Sequence, residues 1–354
     1  MQNPFTVTFS KIPDYTYIPT AQTAEIIDNY SFDHPSESVY KITGVRGSGK
    51  TVLLAKIEEE FTSNPWMNEK WILYRLSPSR DMLQQLSSML YKEKFVKKNH
   101  PHDISLSANL MGIGGGVGIK SPDTDSFFDV GFEIEEMLQS AGNHGKKILI
   151  GIDEVSKTPE MVVFASEFGK WLRAGYPVYL ICTGLYENIE QLSNIKNLTF
   201  FRRATTVKTE ALNFIRMTEM YKNKLNIPID SAKRLAHATK GYAYAFQELG
   251  VLLFKKRADE SEEDILGKLK AELFSYAYEK IWEEMTSEDR ALAFLLQEDR
   301  EYSREELLSK MEKPGNYSVY RDRLIRRGIV VAGHGNISLN LPYFNEYMRD
   351  YCDL

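Results

Sequence analysis

The chain has 354 residues, too many for one comfortable core and about right for two or three domains. Hydrophobic residues make up 43% and charged residues 26%, an ordinary globular composition that excludes a disordered chain. A net charge of −5 excludes a general polycation, so any nucleic-acid surface must be a local patch.

The first residues, MQNPFTVTFSKIPDYTYIP, lack a basic stretch followed by an apolar one and do not read as a signal peptide. No apolar run approaches the length needed to cross a bilayer, so no membrane association is expected. Cys182 and Cys352 have no metal-ligand spacing and form no disulfide framework, which points to the cytoplasm. Cys182 lies in an apolar strand pattern and is expected to be a small buried thiol.

From about Ser38 to Phe200 apolar bursts alternate with helical patterns, the layout of a parallel α/β sheet. SVYKITG (38–44) is a short β-rich run that feeds a glycine loop. KTVLLAKIEEEF (50–61) follows with helical spacing of Val52, Leu53, Ile57 and Phe61. WILYRLS (71–77) reads as a strand, and Arg80 to Lys98 as a helix. SANLMGIGGGVGIKSP (107–122) reads as a β-hairpin inserted in the α/β core; no Gly-Lys-Ser/Thr closes it as a second phosphate loop. His100 and His102 flank Pro101 with no further zinc ligand and are expected to be loop residues.

ILIGIDE (148–154) is nearly all apolar, as a strand buried on both faces should be. The helical PEMVVFASEFGKWLRAG (159–175) and the strand PVYLICT (177–183) follow. After TFFRRATTV (199–207) the strand patterns stop and a mostly helical region begins. The acidic run 258–264 reads as a helix start or linker, where carboxylates favour a helix N-terminus. From about Ala271, TSEDRALAFLLQ (286–297), SREELLSKM (303–311) and NYSVYRDRLIRRG (316–328) read as three helices. Ser303 with Glu306 fits a capping box, and Gly328 a C-terminal stop. IVVAGHGNISLNL (329–341) then reads as a hairpin, so the order is that of a winged helix-turn-helix. Tyr343, Phe344 and Tyr347 have helical spacing and are expected to pack a last helix onto it. The expected domains are 1–207 for an α/β core, 208–270 for a helical lid and 271–354 for the winged helix.

The strongest chemical signal is Gly44-x4-Gly49-Lys50-Thr51 between a strand and a helix pattern. Its glycines allow the backbone of Gly44, Val45, Arg46, Gly47, Ser48 and Gly49 to wrap a phosphate with N–H groups pointing inward. The following helix, from Lys50, Thr51 and Val52 onward, turns its positive end to the same anion. Lys50 adds a point charge at the β- and γ-phosphates, and the Thr51 hydroxyl can ligate magnesium, so ATP and Mg²⁺ are the expected cofactors. The second signal is the end of ILIGIDE, where Asp153 would hold magnesium and Glu154 would polarise the attacking water. Thr183 could touch the γ-phosphate, orient that water, or be an ordinary strand end. Arg202 and Arg203 fit either an arginine stabilising charge on a neighbouring γ-phosphate or surface salt bridging. Arg321, Arg323, Arg326 and Arg327 crowd the third predicted helix of the winged helix beside Tyr317, Ser318 and Tyr320, a mixture suited to double-stranded DNA. The acids Glu305, Glu306, Glu312 and Asp322 nearby suit a protein contact instead.

In order, these features resemble AAA+ ATPases, and in particular the predicted archaeal-type ATPases near the STAND and origin-initiator branches. The resemblance covers nearly the whole chain and is specific at the two Walker motifs. It implies an α/β P-loop NTPase sheet with a helical lid and a C-terminal winged helix-turn-helix. Lys50 and Thr51 would be the Walker A pair, Asp153 and Glu154 the Walker B pair, Thr183 sensor 1, and Arg203 or Arg202 the arginine finger. GYAYAFQ (241–247) is similar to the lid helix over the nucleotide, although it lacks the sensor 2 arginine. Tyr17-Ile18-Pro19 stands where relatives carry a glycine-arginine pair near the adenine.

The expected activity is Mg-dependent ATP hydrolysis in a switch that couples nucleotide state to DNA through the winged helix. The competing expectation is a STAND-like regulatory ATPase whose winged helix meets protein, in a homo-oligomer or with another partner. A small-molecule kinase fits the acidic pair and the helical lid less well.

Overall fold

A computed structural model describes residues 2–8, 11–97 and 129–352. The expected hairpin at 107–122, His100 and His102 lie outside the described residues. The chain forms two compact units. The first comprises Ile26–Ile42 and Lys56–Thr206, and the second Met1–Glu25, Thr43–Ala55 and Val207–Leu354.

One sheet comprises β1 (Val39–Thr43), β2 (Trp71–Leu76), β3 (Lys147–Ile152), β4 (Val178–Gly184) and β5 (Thr205–Lys208), in the order β2-β3-β4-β1-β5, and β2, β3 and β4 lie wholly in the first unit. β2 and β3 run parallel from Trp71 opposite Lys147 to Leu76 opposite Ile152, and β4 extends the parallel array. β1 is buried at every position and β3 at all but Lys147, which explains their unbroken apolar reading. Tyr30, Phe61, Trp71 and Tyr179 pack edge to face in this unit, with Tyr30 and Trp71 centroids 5.3 Å apart. Helix Pro159–Ala174 starts on a Thr158 side-chain cap with proline in its first turn. It ends at Gly175, whose φ of 79° is the left-handed conformation glycine adopts without a Cβ clash.

Two features depart from the periodicity. The stretch 80–98 holds two helices, Met82–Leu90 and Lys94–Lys97, rather than one. Met82, Leu86 and Leu90 are buried at steps of four, but the next buried pair is Phe95 and Val96, out of phase with that stripe. Between them Glu93 accepts a hydrogen bond from the Tyr74 hydroxyl at 3.0 Å. TFFRRATTV divides into a short helix, Thr199–Arg203, and the edge strand β5. Cys182 is fully buried as expected, and burial pushes its thiol up to about 12. The Lys41 ammonium is also buried, donates to the Phe201 carbonyl at 2.7 Å, and has its pKa lowered by desolvation.

The second unit is mainly helical. Phe214–Leu225, Ile229–Ala238, Ala243–Phe254 and Glu262–Leu273 are followed by a π-helical turn, Phe274–Tyr278. The N-terminal Phe5 fills the space at Gly250 of Ala243–Phe254, where a Cβ would overlap its ring. The acidic run begins a helix: Ser261 and Asp264 form a complete capping box, with Glu262 and Glu263 in the first turn. The winged helix consists of helices Ser287–Phe294, Arg304–Lys310 and Tyr317–Arg327 with the antiparallel sheet β6 (Tyr302–Ser303), β8 (Asn336–Leu339) and β7 (Val330–Ala332). Gly328 ends its third helix at φ 85°, as expected. Ser303 caps Glu306 N–H at 3.2 Å, but the Glu306 carboxylate turns to Arg300 and Lys310, so the capping box is only half made. Those two cations hold the Glu306 carboxyl down at about 2. Phe344 and Tyr347 of the last helix, Phe344–Tyr351, pack on Tyr278 with Phe344 at 5.0 Å. Among the described residues no helix is long and apolar enough to cross a membrane.

Candidate nucleotide site

The glycine loop belongs to the second unit. It leaves β1, turns through Gly47 at φ 76° and Gly49 at φ 93°, and enters the helix Lys50–Ser63. Side chains rarely adopt that backbone, so the two glycines are required by the turn. The Lys50 ammonium donates to the carbonyls of Gly44 and Val45, each at 2.9 Å. The lysine thus lies folded along its own loop, and a phosphate oxygen can exchange with those neutral acceptors for a charge-assisted bond. Ser48 and Thr51 are half-buried, beside the helix N-terminus.

Other segments of the same unit hold the loop from outside. Thr209 donates its N–H to Thr43 O at 2.8 Å and its hydroxyl to Ser48 Oγ at 2.8 Å. The Tyr242 hydroxyl donates to Arg46 O at 2.5 Å, and Tyr244 N–H to Gly47 O at 3.0 Å. Burial raises the Tyr242 pKa, so its phenol keeps the proton it donates. Arg46 pairs with Glu284 at 3.6 Å. The stretch GYAYAFQ therefore meets the P-loop through tyrosines and backbone and contributes no arginine of its own. A Cβ at Gly44 would overlap Thr209 Oγ1 and Ser48 Oγ. Gly44→Ala is accordingly expected to distort the loop and weaken ATP binding at least about tenfold, near 1.4 kcal/mol, measured by titration calorimetry. Unaltered affinity would show that the loop can open at no cost.

The acidic pair belongs to the first unit. Asp153 and Glu154 follow the end of β3, with Asp153 half-buried and Glu154 exposed. Glu154 has φ 56°, an uncommon conformation for a residue with a Cβ. Thr183, fully buried at the end of β4, explains how that turn is held. Its hydroxyl donates to Asp153 Oδ1 and accepts the Glu154 N–H at 3.1 Å, while its carbonyl accepts the Val155 N–H at 2.8 Å. One threonine therefore orients both members of the acidic pair. Its single O–H is directed at Asp153.

A residue pair without any motif also stands at this place. Arg75 of β2, in register with Gly151, forms an ion pair with the buried Glu58 carboxylate. Burial raises the Glu58 pKa against the opposing pull of Arg75, the hydrogen bond to Glu58 raises that of Arg75, and the Asp153 charge adds to both. Neither residue carries a spacing signal; the register of β2 places Arg75, and its ion pair places the helical Glu58. Arg202 and Arg203 are exposed at the end of Thr199–Arg203.

The arginines of the winged helix do not form one surface. Arg323 donates to Asp289 Oδ1 at 2.9 Å and to Thr286 Oγ1 at 3.2 Å. Arg327 is buried, donates to Glu284 O at 3.1 Å, and lies 3.9 Å from Asp289 Oδ2. Arg321 pairs with Asp322 at 3.0 Å, and Arg326 is exposed. The fully buried Asp289 holds Arg323 and Arg327, because a buried carboxylate needs a partner.

Over 98% of its length the chain superposes on 99% of a Walker-type ATPase of Pyrococcus abyssi, at 12% identity and a TM-score of 0.57. The chain has the fold of that ATPase. The α/β class with a P-loop sheet and a C-terminal winged helix, expected from the motifs, therefore stands. The Aeropyrum pernix ORC2 protein is also similar, at 12% identity over 94% of this chain and 95% of that one, with a TM-score of 0.49. A STAND protein of Pyrococcus horikoshii with a tetratricopeptide repeat sensor matches 96% of this chain and 43% of its own, at 15% identity and a TM-score of 0.40. Residues 275–348 match the family "Domain of unknown function (DUF8462)". No curated protein matches the sequence.

Proposed function

We propose that the protein is an ATP-binding and ATP-hydrolysing molecular switch whose winged helix responds to the state of the nucleotide loop. The observation that carries the reading is the loop itself: glycines at positive φ, a helix N-terminus behind them, and Lys50 resting on carbonyls it can exchange for phosphate. In this reading the backbone from Gly44 to Val52 would cradle the phosphates, and Thr51 and Asp153 would be the residues to hold magnesium. Bound magnesium would neutralise charge on the transferred phosphoryl group. Glu154 takes the proton of the attacking water, and Thr183 holds the Asp153 carboxylate and the Glu154 backbone in place. Arg202 and Arg203, being exposed, are available to a γ-phosphate on a neighbouring subunit.

For the partner of the winged helix, a protein surface is the reading we favour, as in a STAND-like regulator working in the cytoplasm. The supporting observation is the inward commitment of Arg323 and Arg327 to Asp289. Duplex DNA is the second reading, resting on Arg321 and the exposed Arg326. Both readings are tested by Mg-dependent ATP turnover with and without duplex DNA, repeated between about 50 and 200 mM salt. Turnover indifferent to DNA is expected. A salt-sensitive stimulation lost in Arg321→Ala/Arg326→Ala would restore the DNA reading, and no magnesium-dependent turnover at all would remove the hydrolase.

A further inference from the structure

Two adjacent residues, Lys208 and Thr209, touch the nucleotide loop on one side and the winged helix on the other. Thr209 is bonded to Thr43 and Ser48 and occupies the space in front of Gly44. The Lys208 ammonium donates to the carbonyl of Ile325 in the last turn of Tyr317–Arg327. A cation is favourable there because the last turn carries the helix's negative end, and the Ile325 carbonyl, which also accepts the Gly328 N–H at 3.0 Å, has a second lone pair for it. Desolvation lowers the Lys208 pKa against the opposing pull of Glu210.

The same helix end lies beside the loop. A Cβ on Gly328 would stand 3.5 Å from Val45 Cγ1, 3.6 Å from Lys208 Cε and 3.9 Å from Val45 N. Asn340 donates to Gly328 O at 3.1 Å and ties β8's exit to that point. Gly44, Val45, Ser48, Lys208, Thr209 and Gly328 line one cavity. Gly44 and Val45 are also the two residues whose carbonyls hold Lys50. Whatever draws Lys50 away thus acts on the residues that Thr209 and Gly328 pack against.

We propose that Lys208 and Thr209 are a relay that carries phosphate occupancy of the loop to the C-terminal end of the winged helix's third helix. The proposal rests on the nucleotide reading above. Phosphate draws Lys50 off the Gly44 and Val45 carbonyls, the loop resettles against Thr209, and the Lys208 bond to Ile325 transmits the shift. The outcome is a change in the stability of the last helical turn and of the face it presents to a partner.

The test is hydrogen exchange at the amides of Tyr317–Arg327, with and without Mg-bound non-hydrolysable ATP analogue, in wild type, Lys208→Met and Lys208→Arg. Nucleotide affinity is measured in parallel. Wild type should show a nucleotide-dependent change in exchange of at least about fivefold at the last turn. Lys208→Met should bring the ratio of the two states close to one while still binding nucleotide, and Lys208→Arg, which keeps a donor, should preserve it. A purely structural lysine would speed exchange equally in both states and leave the ratio intact; that result overturns the relay. So does a wild type that binds nucleotide without any change at this helix. A wild type that binds no nucleotide would instead sink the nucleotide reading itself, and the relay with it.

Discussion

Glu154→Gln is expected to slow ATP hydrolysis by about 10²–10⁴-fold, the contribution typical of a positioned general base, with ATP binding nearly unchanged. The amide has the size of the carboxylate but cannot accept the proton of the attacking water. The fold should tolerate the change, because the turn is held through the backbone. The Glu154 N–H is bonded to Thr183 Oγ1 at 3.1 Å, and the next residue, Val155, bonds Thr183 O. Neither bond uses the Glu154 side chain, which is exposed. The residue also sits at φ 56°, a conformation of the kind that persists where surrounding contacts over-determine it and that clusters at working sites. Phosphate release at saturating Mg-ATP, with equilibrium nucleotide binding as a control, measures the effect. Turnover close to wild type would remove Glu154 from the chemistry and leave Asp153 as the acid to examine.

Asp289→Ala should destabilise the unit that contains the winged helix by about 3–5 kcal/mol, the usual cost of leaving a buried charge without its partner. Asp289 has 0% exposure and Arg327 7%, so solvent does not take over the lost interaction. Arg323 is partly exposed and can turn to water, which limits its share of the loss. Natural domains are stable by only about 5–15 kcal/mol, so the variant should show a much lower denaturant midpoint. The fluorescence of Trp282, buried nearby with Arg290 over its ring at 5.5 Å, reports on this region. Asp289→Asn retains a hydrogen-bond acceptor and should cost less. A midpoint equal to wild type would mean that the arginines find other partners. It would also reopen an outward face for them, and with it the DNA reading.

Much of the architecture was legible because its signals are local. The helix Pro159–Ala174 is announced by Thr158, Pro159 and Gly175, which act within a few residues of themselves. β3 is visible as an apolar run because parallel strands are covered on both faces. Gly47 and Gly49 mark the phosphate loop because its turn requires a backbone that other residues resist. The winged helix was readable from its caps and hairpin spacing, with Gly328 at the end of the third helix. Local phase was less informative where two short helices follow each other, as at Met82–Leu90 and Lys94–Lys97.

The sequence by itself determined the elements, their order, and the residue types able to hold a nucleotide. Only the tertiary structure decided which groups those residues meet. Thr183 reaches Asp153 across parallel strands, Arg75 reaches Glu58 from β2, and Tyr242 reaches Arg46 between distant segments. Asp289 draws Arg323 and Arg327 inward from a helix whose composition alone suits DNA. The reason is physical: helix and strand preferences depend on neighbours a few positions away. The partner of a polar or charged side chain is set by desolvation, which exists only once the chain has packed.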